Sequence, residues 1–547
     1  MSPIVREYFR VPRGDREAFI WPPAGDLAAL VERNRRLLGS YAFALAGRPV
    51  QEFRAAARAE AMALARQYAE RWRFKVDREW SEAAPVIVTG HQPPPFHPGV
   101  WIKNFLAGSL ARAVVGVGLN LIVDNDEARG QALRFPVRAG DVHAAEVALA
   151  PPAGGLALEE QPAAEVDAGA FGKIVGVAPP ALAEPLRRFA AQLAAAVPAA
   201  GGLGEALSAA RRRLEEEVGL RNLELPVSRM ADSEAFHFFV AWMLAEHEAV
   251  FAAYNGALAE YRRVYRERSA AQPVPDLARD GRRVELPLWL WRAGEKRRRL
   301  WVEPGQGGAI ALFADHERIG VLEDGAVRAR RGSGGASSSV AQLAALRQAG
   351  WKVRPRALSM TLFVRLALGD VFIHGLGGAL YDKITDALFE RLWGVRPPEL
   401  ILASCTVRLP LEAYPARQGD AVASPATPRD LERAIRGVRD WQFNPDRLMP
   451  QAARVRPEFQ ALAAEKRRLI ENRAATRPER NRAFLRIHDV NAALAALDPA
   501  GPAAARADWE RIGRQLRYNA VLRDREYPFC FYPAEDLAAF YREAARI

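Results

Sequence analysis

The chain has 547 residues, half of them hydrophobic, with a formal net charge of +12 and only two cysteines. That length holds several domains at the usual ~150 residues each, and no window approaches the roughly 18 uninterrupted apolar residues of a membrane span. Cys405 and Cys530 are far apart and form no CxxC pair, so neither a disulfide framework nor a zinc ribbon is supported.

The polar start MSPIVREYFRVPRG lacks the apolar core of a signal peptide, which with the scarcity of cysteine leads us to expect a cytoplasmic protein. Helical spacing of apolar residues predicts helices over 26–38 and 51–73. A short apolar run at 86–88 then stops at Thr89-Gly90-His91-Gln92, and a Pro-rich loop and His97-Pro98-Gly99 lead into a helix carrying Lys103 and Asn104. A second apolar run at 119–123 ends in Asp124-Asn125-Asp126-Glu127. Strand, helix and strand within about 40 residues read as a βαβ unit. A right-handed crossover would set the strands parallel, with His91 and Asp124 approaching at one edge.

Residues 140–205 are rich in Ala, Pro and Gly and read as a surface excursion, with helices resuming at 182–197 and 204–218. A long helical pattern covers 240–268, and 283–323 breaks into short strand-like runs joined by turns, the pattern of a small antiparallel module. RGSGGASSS at 331–339 has the composition of a flexible loop. The apolar stretch 358–373 contains Arg365 and Asp370, which must pair with each other or with a ligand if buried. It leads into His374-Gly375-Leu376-Gly377-Gly378 and then Tyr381. Residues 400–410 read as a buried strand, and the chain is mostly helical after 429.

The chemistry concentrates at these strand ends. Gly90 permits close backbone approach to a ligand. His91 and His97 could bind phosphate or stabilise a leaving pyrophosphate, and Lys103 would add positive charge. Asp124 and Asp126 could orient substrate, hold a divalent metal or act as a base; a polar turn capping the next helix explains them equally well. The glycine-rich turn at 374–378 could cradle phosphate through backbone N–H groups, although it is neither a Walker A loop nor a full GxGxxG. The basic runs at 33–36, 211–213, 296–299 and 328–331 are dispersed, unlike the single basic face of a nucleic-acid binder.

The stretch PVIVTGHQPPPFHPGVWIKNFLAGSLA resembles the motif of the bacillithiol-synthesis cysteine-adding enzymes: V-x-T-G-Q-Q, a Gly/Pro loop, then a Tyr-Lys helix. Thr89, Gly90 and Gln92 fall on motif positions and Lys103 on the motif lysine. Asp124 and Asp126 fall near the family's acidic strand end. The 356–381 stretch is similar to a later block, with Gly375 and Tyr381 corresponding. The likeness implies a nucleotidyltransferase-like Rossmann core, inserted subdomains, a C-terminal coiled coil, and the addition of cysteine to glucosaminyl malate. His91 stands where the family has glutamine, His97 adds a second imidazole, and the acidic run is Asp-Asn-Asp in place of Glu-Asp-His-Asp.

The sequence therefore predicts an α/β protein with a Rossmann-like parallel sheet core, inserted subdomains and a helical C-terminal region. The expected divisions are 1–270 and 346–428 for the core, 271–345 for the β insert and 429–547 for the helices. The expected function is a ligase adding an amino acid to a small sugar-derived acceptor, with nucleotidyl transfer and non-catalytic binding of a nucleotide or sugar phosphate as alternatives. His91, His97, Asp124 and Asp126 would be catalytic. Thr89, Gly90, Gln92, Lys103, Asn104, His374, Gly375, Gly377 and Tyr381 would bind substrate or nucleotide. ATP, ADP or another nucleotide, with Mg, is the cofactor class such chemistry draws on. The expected partner is a small anionic substrate, not nucleic acid or membrane, with the C-terminal helices available for a homodimer.

Overall fold

The computed structural model describes residues 4–76, 80–127, 131–138, 140–269, 271–323, 333–415, 424–472 and 476–547. The fold is mixed α/β, and the chain divides into two compact units. The first comprises Met1–Phe135, Ala145–Arg408 and Arg525–Ile547; the second comprises Pro136–Ala144 and Leu409–Asp524.

The first unit is built on a six-stranded sheet. Its five parallel strands run Ile401–Thr406, Val371–His374, Val86–His91, Val117–Ile122, Leu223–Pro226 across the sheet. Glu17–Trp21 adds antiparallel to the Ile401–Thr406 edge, with Glu17 opposite Thr406. The first parallel strand in the sequence, Val86–His91, thus lies in the middle. The chain moves outward through Val117–Ile122 and Leu223–Pro226, then returns to the other side of it. These strands are short and nearly all buried, as expected where helices cover both faces of a parallel sheet.

A second, antiparallel sheet has the order Glu317–Leu322, Ile310–Ala314, Arg298–Pro304, Arg283–Arg292, Trp351–Pro355. The strand-like runs at 283–323 supply four of these strands; the fifth comes from beyond the Gly/Ser-rich segment. That segment differs from its composition: a helix, Ser333–Gln348, begins inside the predicted loop. It packs along the helix Glu234–Ala245, and buried Ser339 and Leu343 anchor it. The basic run at 328–331 lies outside the described residues.

The long helical pattern at 240–268 is two helices, Glu234–Ala245 and His247–Tyr265, and His247 Nδ1 donates to the Leu244 carbonyl at their junction. The apolar stretch 358–373 is a helix, Ala357–Phe363, a π-helical turn and the strand Val371–His374.

Arg365 and Asp370 do not pair with each other. Arg365 is held by Asp382, Asp386 and the Pro398 carbonyl at 2.6–2.7 Å, and Asp370 by Arg58, Arg54 and the Val86 amide. Each charge finds its partners on other elements. Residues 525–547 return to the first unit, where Phe529 and Tyr541 pack on Trp101 and Phe105.

The second unit is helical, with Pro428–Phe443, Pro457–Glu471, Arg477–Ala496 and Ala500–Leu522. Thr427 with Asp430 and Thr476 with Glu479 form capping boxes. Met449, Ala453, Phe459, Val490 and Leu494 make its core. Among the described residues no helix is long and apolar enough to cross a membrane.

Candidate functional site

In an open α/β sheet, ligands sit beyond the carboxyl ends of the strands where the strand order reverses. Here that point lies between Val86–His91 and Val371–His374, so by that rule the crevice falls between the 89–92 turn and the 374–378 turn.

Thr89 is fully buried and its hydroxyl donates to the Ile373 carbonyl at 3.1 Å; it ties the two strands together. Gly90 is required by its neighbour strand, because a Cβ there would lie 3.0 Å from both Leu121 Cβ and the Leu121 carbonyl oxygen. His91 is half-buried and packs edge-on to Phe96. Its Nδ1 lies 3.1 Å from the Gln92 carbonyl, an acceptor, so Nδ1 carries the proton and Nε2 keeps its lone pair. Desolvation, then the Lys103 ammonium, pushes its pKa down to about 3. His374 is likewise pushed down, to about 4, by burial, with Lys103 working in the same direction and Asp382 against it. Both imidazoles are therefore neutral at pH 7.

The positive charge comes from Lys103. Its side chain is buried, only 4% exposed, and its amine donates to the Gly90 carbonyl at 2.9 Å. No carboxylate pairs with it among the described residues, and burial lowers its pKa to about 8. The helix that carries it, Pro98–Ala113, is fixed from behind by a buried polar cluster. Trp101 and Asn104 both donate to Glu215, which also binds Arg211, and Asn222 donates to the Asn104 carbonyl. Asn104 is thus a packing residue on the far face of the helix. His97 caps that helix, accepting from the Gly99 amide at 3.1 Å, with Nε2 3.4 Å from Glu526.

Across the crevice, Gly375 caps the 18-residue helix Leu376–Trp393. Apart from chain neighbours and their own helix, neither Gly375 nor Gly377 has an atom within 4 Å of where a Cβ would stand, whereas a Cβ on Gly378 would lie 1.8 Å from His374 Cε1. The helix start is open, and its first N–H groups and dipole favour an anion. Tyr381 is 43% exposed and stands near Tyr261, one turn further along.

The acidic strand end lies next door. Asp124, 7% exposed, accepts from the Ser228 amide at 2.9 Å and the Ser228 hydroxyl at 2.5 Å. Burial, with Glu159 close by, pushes its pKa up to about 7. Asp126 binds Arg297 at 2.8 Å and accepts from Gln92. Among the described residues no group of three or more His, Cys, Asp or Glu side chains could hold a metal ion. Arg297 and Glu159 were not legible as site neighbours: the first sits in one basic run among several, the second in the Ala/Pro-rich excursion. No protein-family model and no curated protein sequence matches the chain.

Proposed function

We propose that the chain is a group-transfer enzyme with a Rossmann-like core, a ligase that joins an amino acid to a small anionic, sugar-derived acceptor. The observation that carries this is Lys103, a buried ammonium at the end of the Val86–His91 strand, bonded to the Gly90 carbonyl and without a carboxylate partner among the described residues. A buried cation without a counter-ion is costly, and an anionic ligand is the group that would compensate it. The strand order 3-2-1-4-5, counted over the parallel strands, is that of doubly wound nucleotide-binding sheets. The two sequence blocks that resemble motifs of the cysteine-adding enzymes contain the adjacent strands Val86–His91 and Val371–His374.

In this reading Lys103 and the first amides of Leu376–Trp393 bind a phosphate or carboxylate of the substrate. Neutral His91 offers Nε2 as a hydrogen-bond acceptor that orients an attacking amine, and His374, folded over Gly378, closes the wall. A nucleotide fits the same donors through its phosphates, and when bound would supply an activated phosphoryl or nucleotidyl group. The test is thermal stabilisation of the full chain by a panel of sugar phosphates and nucleotides. Stabilisation by at least one, lost in Lys103→Met, is expected; no stabilisation by any of them contradicts the proposal.

A further inference from the structure

Lys103 has an opposite on the same sheet edge. Asp124 is a buried carboxylate that accepts only from Ser228, and no Lys or Arg forms an ion pair with it among the described residues. It lines a cavity of about 180 Å³ together with Glu159, Glu205, Ser228 and Arg229. The other two carboxylates are already bound: Glu159 by Arg354 and Lys352, Glu205 by Arg71 and Arg229. Arg229 keeps a third of its side chain exposed. Gly201 and Gly202 form part of the wall, and a Cβ on Gly202 would press to 3.1 Å from the Glu159 carbonyl oxygen.

Asp124 and Arg229 thus present opposite charges to one cavity, and Asp124 has hydrogen bonds from Ser228 but no ion-pair partner among the described residues. A small zwitterion carries the two complementary charges.

We infer that this cavity takes a free α-amino acid, its ammonium on Asp124 and its carboxylate on Arg229. The inference rests on the ligase reading and names where the amino acid, as distinct from the anionic acceptor, would sit. Titration calorimetry of the full chain with L-alanine, L-serine and L-cysteine tests it, with N-acetyl-L-alanine and L-alanine methyl ester as ligands lacking one charge each. The free amino acid is expected to bind, and each derivative at least tenfold more weakly. Arg229→Gln and the isosteric Asp124→Asn should each weaken binding by tenfold or more. Circular dichroism confirms that the variants are folded.

No binding of any free amino acid would overturn the inference, as would equal binding of the derivatives or indifference to both variants. Lys103-dependent stabilisation by a sugar phosphate, persisting without amino-acid binding, sinks this inference alone. Amino-acid binding at Asp124 without any Lys103-dependent anion binding upholds the cavity and sinks the ligase reading instead.

Discussion

Lys103 concentrates the electrostatic cost of the site. Its pKa, lowered by burial to about 8, means that folding works against its charge at neutral pH. Lys103→Met should therefore raise the stability of the ligand-free protein, by about 1–3 kcal/mol, while abolishing anion binding; thermal melts with and without a sugar phosphate check both. A melting temperature that falls instead would mean that the bond to the Gly90 carbonyl outweighs the buried charge. The histidines carry the opposite pH signature from a paired, charged imidazole. In the unfolded chain they protonate near 6.5, whereas folded His91 and His374 stay neutral down to about 3 and 4. The unfolded state thus binds more protons below 6.5, and the stability their neutral forms contribute is lost as pH falls from 6.5 towards 4. His91→Gln combined with His374→Gln should flatten that acid limb in melting curves recorded between pH 8 and 4.

At the scale of elements, the site is the meeting of two turns. The apolar run before Thr89, and the polar and glycine-rich signals after it, made the 86–91 strand and its turn readable, and the same holds for 119–126. What could not be read was where each side chain points. Thr89 and His97 carry the residue types of a binding site, yet one ties two strands and the other caps a helix, because hydrogen-bond partners come from residues 284 positions away as readily as from neighbours. Arg365 and Asp370 illustrate the same limit: their need for partners was legible, the partners were not. The glycines are more specific. Gly378→Ala sets a methyl group against the His374 ring and should cost about 1–3 kcal/mol. It should also weaken anion binding, because the displaced imidazole moves into the crevice; denaturant midpoints and ligand titration measure the two effects. Unchanged values would show that His374 repacks freely.

At the scale of the molecule, the parallel order of the central sheet brings segments more than 280 residues apart to one edge. That convergence is invisible to local pattern, although the strand–turn–helix units that compose it are not. The C-terminal return is equally long-range. Phe529, Phe531 and Tyr541 are buried in the first unit, and the Tyr541 hydroxyl donates to the Pro98 carbonyl at 2.9 Å, at the start of the helix that carries Lys103. A chain ending at residue 524 loses several buried aromatic groups, each worth about 3–5 kcal/mol, against a typical total of about 5–15 kcal/mol. It should be unfolded or insoluble by circular dichroism and sedimentation; a soluble, cooperatively melting product would contradict this.

The central claim, that the crevice between the 86–91 and 371–374 strands holds an anionic substrate against Lys103, is met most directly by a structure with a bound sugar phosphate. A phosphate within hydrogen-bond distance of Lys103 Nζ and the first amides of Leu376–Trp393 is the predicted result. A phosphate bound elsewhere, with Lys103 still donating only to the Gly90 carbonyl, would contradict it.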